Sequence, residues 1–141
     1  MLDKETGEPV CVIDLDTIMP GYSVNDFGDS IRFGASTGAE DEKDLSKVYL
    51  VMDLFEAYVE GFIEGAGTGL SKKEIETLPL GAKVITLEQG IRFLTDYLDG
   101  DLYYKTQYAE HNLDRTRTQL KLVADMESKW DEMNAIVKKY S

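Results

Sequence analysis

The stretch Val10-Cys11-Val12-Ile13-Asp14-Leu15-Asp16-Thr17 constrains the fold more than any other part of the chain. It has the apolar, β-branched run of a strand and closes on two carboxylates one residue apart. Ahead of it, Lys4-Glu5-Thr6-Gly7-Glu8-Pro9 is turn chemistry, polar and carrying Gly and Pro. Together they predict a hairpin whose second strand covers residues 10–13 and whose first strand is limited to Met1 and Leu2. So short a strand does not stand alone, and a lone strand makes no sheet. The hairpin therefore reads as a cut remnant, and the body of the fold has to be helical.

The remaining sequence fits that requirement. Asn25 is expected to cap a short helix to Phe33, with Asp26 and Asp29 as first-turn carboxylates that brace the preceding loop, and Gly34 as its stop. A polar loop follows over 37–42. A long helix over 43–64 carries Val48, Met52, Phe55, Val59 and Phe62 at spacings of three and four, and the glycine run of 65–69 ends it. Ser71-Lys72-Lys73-Glu74 has capping-box form and opens a short helix to Leu78, which Pro79 breaks. A second long helix over 80–98 places Val84, Leu87, Ile91, Leu94 and Leu98 on one face. Asp99-Gly100-Asp101 is a turn and 102–105 is irregular. The last helix is expected from Asn112, carrying Leu113, Leu120, Val123, Trp130, Met133, Val137 and Tyr140. The expected fold is mainly α, a single domain over 1–141.

Net charge narrows the partners. The chain has 141 residues with 27 acids against 15 bases, a formal charge of -12. That argues against nucleic acid or an anionic membrane, which need clustered Lys and Arg. Cys11 is the only cysteine, so no internal disulfide forms, and its valine neighbours predict a buried strand thiol. With no signal-like opening and no apolar run of spanning length, the expected location is cytoplasmic.

Asp14 and Asp16 lead the candidate sites. A strand that ends in carboxylates is a common holder of a divalent cation against phosphate oxygens; a solvated strand end is the alternative. An Asp-x-Asp phosphatase dependent on magnesium also opens this way, but it needs later strands that the sequence does not show. Asp26-Phe27-Gly28 spells the kinase magnesium triplet. It follows a polar loop rather than an apolar strand, so Asp26 and Asp29 read as structural. The glycine run reads as a helix stop, since it follows a helix and lacks the lysine of a phosphate loop. His111, the only histidine, reads as a capping or surface residue. Arg92 sits among Ile91, Phe93 and Leu94, within reach of Tyr103-Tyr104. A guanidinium beside tyrosines suits a polyhydroxylated or carboxylate ligand, against a surface arginine lying over the core. Arg115 and Arg117 read as ion-pair partners.

Four stretches in order carry a resemblance: Val12-Ile13-Asp14-Leu15-Asp16-Thr17-Ile18-Met19-Pro20-Gly21, then Tyr22-Ser23-Val24-Asn25-Asp26-Phe27-Gly28-Asp29-Ser30-Ile31-Arg32, then Ile91-Arg92-Phe93-Leu94-Thr95-Asp96-Tyr97-Leu98, then His111-Asn112-Leu113-Asp114-Arg115-Thr116-Arg117-Thr118-Gln119. They resemble the C-terminal part of aminoglycoside phosphotransferase-like kinases, most of all the N-acetylhexosamine 1-kinases. The resemblance implies the helical C-lobe of a protein-kinase-like fold with a short β-hairpin remnant at its N-terminus. It implies transfer of the ATP γ-phosphoryl to the anomeric hydroxyl of an N-acetylhexosamine, with magnesium. By the same resemblance Asp14 is the metal aspartate, Asp16 and Thr17 lie on the cleft floor, and Arg92 and Tyr103 fall in the sugar-binding region. The family's catalytic base, second metal ligand and nucleotide-binding lobe fall upstream of the position of Met1. The chain alone is therefore expected to be inactive and to self-associate through the face those parts would cover. A stand-alone helical sugar-binding or interaction module is the alternative of a different class.

Overall fold

A computed structural model describes residues 1–16 and 18–141. It is mainly helical, with helices α1 (Ser23–Gly34), α2 (Met52–Ala66), α3 (Lys72–Glu76), α4 (Leu78–Asp99), α5 (His111–Ser128) and α6 (Trp130–Lys139). β-pairing among the described residues is limited to two isolated antiparallel bridges, Leu2 with Pro9 and Ser36 with Leu50.

The N-terminal hairpin is present in reduced form. The Asp3 N–H donates to Glu8 O at 2.9 Å and the Val10 N–H to Met1 O at 3.0 Å around the turn. Residues 10–13 are not a strand, because the Met1–Leu2 side is too short to continue the ladder past Cys11. Asp14 adopts φ 66°, a left-handed conformation that ends any extended run. Cys11 is exposed rather than buried, since nothing packs over this segment.

The helices start and stop by identifiable chemistry. α1 begins at Ser23 rather than at an Asn25 cap, and Tyr22, its N-cap, makes no side-chain capping bond. α2 begins nine residues later than its apolar spacing predicts. Asp44 caps a single 3₁₀ turn at Leu45–Lys47, and the chain then runs extended to pair Leu50 with Ser36. Val48 still reaches the core, from that extended segment. α3 has the expected capping box, Ser71 with Glu74. Pro79 does not separate two helices; it sits in the first turn of α4, where no N–H is needed. The expected last helix is two, broken at Lys129. The Lys129 ammonium donates to Leu50 O at 2.8 Å and to the Asp125 carboxylate at 2.7 Å, while the Leu50 N–H donates to the same carboxylate.

The core joins Phe27 and Ile31 of α1, Phe55 and Val59 of α2, Leu78 and Ala82 of α4, and Leu122, Met126, Met133 and Ile136 of α5 and α6. Phe27 meets Phe55 and Phe62 edge-on, with ring centroids 6.0 and 5.3 Å away. α1 and α4 approach at backbone distance. A Cβ on Gly28 would lie 2.5 Å from Gly81 O, and one on Gly81 would collide with Val24 O. The inward face of α4 is therefore Gly81, Ala82, Thr86, Gly90, Phe93 and Asp96. Of the face expected from its apolar spacing, Val84, Ile91 and Leu98 are exposed. Small inward residues let α1 and α5 come close, and the larger aliphatics are turned outward.

Candidate functional site

α4 ends in a way that folds the next residues back on it. Gly100 takes a left-handed conformation (φ 94°) and the Asp101 N–H donates to Asp96 O at 2.8 Å, closing the helix. The chain then passes Asp96 again. Its carboxylate accepts the Tyr103 N–H at 2.7 Å and the Tyr104 N–H at 2.9 Å. Asn112, at the start of α5, donates to Asp96 and to Asp101, each at 2.8 Å. Burial pushes the Asp96 carboxyl up, but donation from the Tyr104, Tyr103 and Leu102 amides and from Asn112 outweighs it and holds the group below its ordinary value. Asp96 is a positioning residue: its oxygens are occupied, and it fixes the tyrosines against α4.

The result is a cleft of about 340 Å³ lined by Ile91, Arg92, Thr95, Asp96, Asp99, Tyr103 and Tyr104. The Arg92 guanidinium lies 6.0 Å from the Tyr103 ring centre and 5.9 Å from that of Tyr104. Tyr104 is wedged against Phe93, and its hydroxyl accepts from Gln89 Nε2 at 3.1 Å. Tyr103 stands on Tyr104 edge-on, its ring largely exposed. Among the described residues Arg92 and Asp99 have no ion-pair partner. The cleft thus offers unpaired guanidinium donors, a carboxylate, the Thr95 hydroxyl and an aromatic face, a set suited to a ring bearing several hydroxyls.

Beside it, a second polar cluster holds the loops. The Gln107 N–H donates to His111 Nδ1 at 3.1 Å, so the neutral ring carries its proton on Nε2, which meets the Asp41 carboxylate at 3.0 Å. The ring is buried and stacked on Tyr108, not at the surface as its place before a helix start suggested. Arg115 lies 3.6 Å from Glu40, and Arg117 pairs with Asp114 at 2.9 Å, in keeping with their expected roles.

The structure brings Arg92 and Tyr103 together, and it adds Asp96, which sequence reasoning missed. Nothing local marked it, since the apolar spacing of α4 put Val84, Leu87, Ile91, Leu94 and Leu98, not Asp96, on the face expected to turn inward. Asp14 and Asp16 are exposed on the N-terminal arm, and Thr17 lies outside the described residues. Asp26 is in the first turn of α1, but Asp29 lies a turn further on and bonds Arg32 at 3.0 Å instead of bracing the loop. No group of three or more His, Cys, Asp or Glu side chains able to hold a metal occurs among the described residues. Two exposed carboxylates do not supply the oxygen set magnesium needs. Asp14 and Asp16 alone do not make a magnesium site in this chain. No helix among the described residues is long and apolar enough to cross a membrane. No family model matches the chain.

Proposed function

We propose that this chain is the acceptor-holding helical lobe of an N-acetylhexosamine 1-kinase, and that the cleft at the end of α4 takes the sugar. The observation that carries the reading is the meeting of Arg92 and Tyr103. The sequence resemblance places both in a sugar-binding region, and in the structure they flank one cleft, 6.0 Å apart. The Tyr103 ring offers its face to the apolar side of a pyranose, and Arg92, Thr95 and Asp99 offer partners to its hydroxyls and amide.

In this reading the anomeric oxygen forms a bond to the γ-phosphorus of ATP, the bond from that phosphorus to the β,γ-bridging oxygen breaks, and ADP leaves. The proton of the hydroxyl passes to an aspartate base, which the resemblance assigns to the whole kinase and not to the residues of this cleft. The chain's own contribution is to bind and orient the acceptor. ATP and magnesium belong to the whole kinase. A coupled ADP-release assay with ATP, magnesium and N-acetylglucosamine or N-acetylgalactosamine tests it, run on this chain and on one extended upstream through a nucleotide-binding lobe. Turnover in the extended protein alone is expected. Turnover in neither would remove the kinase assignment.

A second reading, a helical interaction module, is favoured by one observation. The arm exposes Met1, Leu2, Val10, Val12, Ile13, Leu15, Ile18, Met19 and Tyr22, each by more than half. The lobe reading expects self-association through this surface as well, so the two part in the upstream-extended protein: association that persists there favours the module, and association that disappears favours the lobe, which sedimentation velocity reads.

A further inference from the structure

On the opposite side of α1 from its contact with α4, the surface between α1 and α2 forms an apolar groove of about 460 Å³. Its floor is Leu54, Ala57, Tyr58, Gly61 and Phe62 of α2, and Asp26 of α1 stands on one wall. Leu54 and Tyr58 are 44% and 37% exposed, so a substantial apolar area meets water here. A Cβ on Gly61 would meet nothing within 4 Å, so the α2 backbone is open to close approach. At about 100° per residue, Asp53, Glu60 and Glu64 fall along the other border of the floor, and all three are exposed.

Charge decides what fits. α2 contains no Lys, Arg or His. The sole base of α1, Arg32, is already held by Asp29 and Glu40 at 3.0 and 2.9 Å. Glu56 lies on the far side of α2, bonded to Lys139. The groove therefore has an apolar floor with Asp26 and Ser30 on its α1 side and, along the outer border of α2, Asp53, Glu60 and Glu64, with no base of its own helices left to neutralise these acids. We propose that it docks an amphipathic helix of a partner protein whose apolar stripe is bordered by Lys and Arg. The aliphatic side chains would fill the floor at the spacing of Leu54, Tyr58 and Gly61, and the cations would meet Asp26 on one side and Glu60 and Glu64 on the other. The site is independent of the α4 cleft.

The test is titration of the full chain with a synthetic Leu/Lys amphipathic helix, followed by amide chemical shifts, with a Leu/Glu helix of the same apolar pattern as control. The Leu/Lys peptide is expected to shift residues 54–62 and 26–30 and to weaken as salt rises. The combined Asp26→Asn, Glu60→Gln, Glu64→Gln variant is expected to bind about tenfold more weakly with its melting temperature preserved. Leu54→Gln, at an exposed position, is expected to weaken binding without loss of fold. Equal binding of the Leu/Glu peptide, unchanged affinity of the triple variant, or shifts confined to the arm or to the α4 cleft would each overturn the proposal.

Discussion

The arm of residues 1–22 and the helical body of 23–141 spend the same kind of side chain to opposite effect. In the arm, every described residue up to Tyr22 is exposed, including nine large apolar ones. In the body, Phe27, Ile31, Phe55 and Val59 are fully buried. The difference lies in the backbone. A helix satisfies its own N–H and C=O groups and needs only one face covered, so α1 and α2 make a core as soon as they meet. A strand needs a neighbour for its backbone before its faces can be used. The arm has only the stub of Met1 and Leu2, and past Cys11 its cross-strand bonds run out, leaving the local turn in which the Ile18 N–H donates to Leu15 O at 3.3 Å.

The sharpest way to break this comparison is to cut each region. Phe27→Ala is expected to cost about 3–5 kcal/mol, because the ring is buried between Phe55 and Phe62. Deleting residues 1–21 is expected to change stability by less than about 0.5 kcal/mol. Urea denaturation followed by circular dichroism compares the two directly. An arm deletion as costly as the core truncation would show that the arm packs on the body.

Within the body, glycines sharpen the same point about backbone contact. Gly81→Ala is expected to destabilise by about 1–3 kcal/mol, since the added methyl meets Val24 O, which is backbone and cannot swing aside. Gly61→Ala, on the open side of α2, is expected to stabilise by up to about 1 kcal/mol through helix propensity. Thermal melts of both variants read the contrast, and a costly Gly61→Ala would contradict an open groove floor.

A smaller effect follows from Asp96. Its carboxyl is held below the ordinary value, so the folded state favours the ionised form. That contribution is complete above the ordinary carboxylate value of about 4 and is lost as pH falls through the lowered folded value. Asp96→Asn is expected to lower stability at neutral pH and to flatten this acid limb. Melting temperature against pH, wild type beside variant, checks it; identical slopes would mean that the Tyr103 and Tyr104 amides do not stabilise the charge.

The helical character of the body was legible from periodicity, but the strand over 10–13, the start of α2 and the facing of α4 were not. The capping box at Ser71 and the glycine stop after α2 are local chemistry, and both stand as read. α4 misled because its strongest apolar stripe, with Val84, Ile91 and Leu98, faces outward, while the inward face is built of small and polar residues that allow close packing. Which of two faces turns inward depends on what α1 and α5 present, and that is not local information. Val48 deceived in a similar way: it keeps helical spacing with Met52 but enters the core from an extended segment. Of the cleft residues, Arg92 and Tyr103 were singled out in the sequence, and they line one cleft. Asp96 was not singled out, because its role depends on amides that return to it only after the turn at Gly100.

The proposed function requires that the α4 cleft take a sugar with neither the arm nor a nucleotide. The most direct test is an amide chemical-shift titration of the chain, with and without residues 1–21, using N-acetylglucosamine and N-acetylgalactosamine. Saturable shifts at Arg92, Thr95, Asp99 and Tyr103 in both forms, weakened about tenfold or more by Arg92→Ala, are the predicted result. Shifts that never saturate, that fall outside the cleft, or that survive Arg92→Ala unchanged would contradict it.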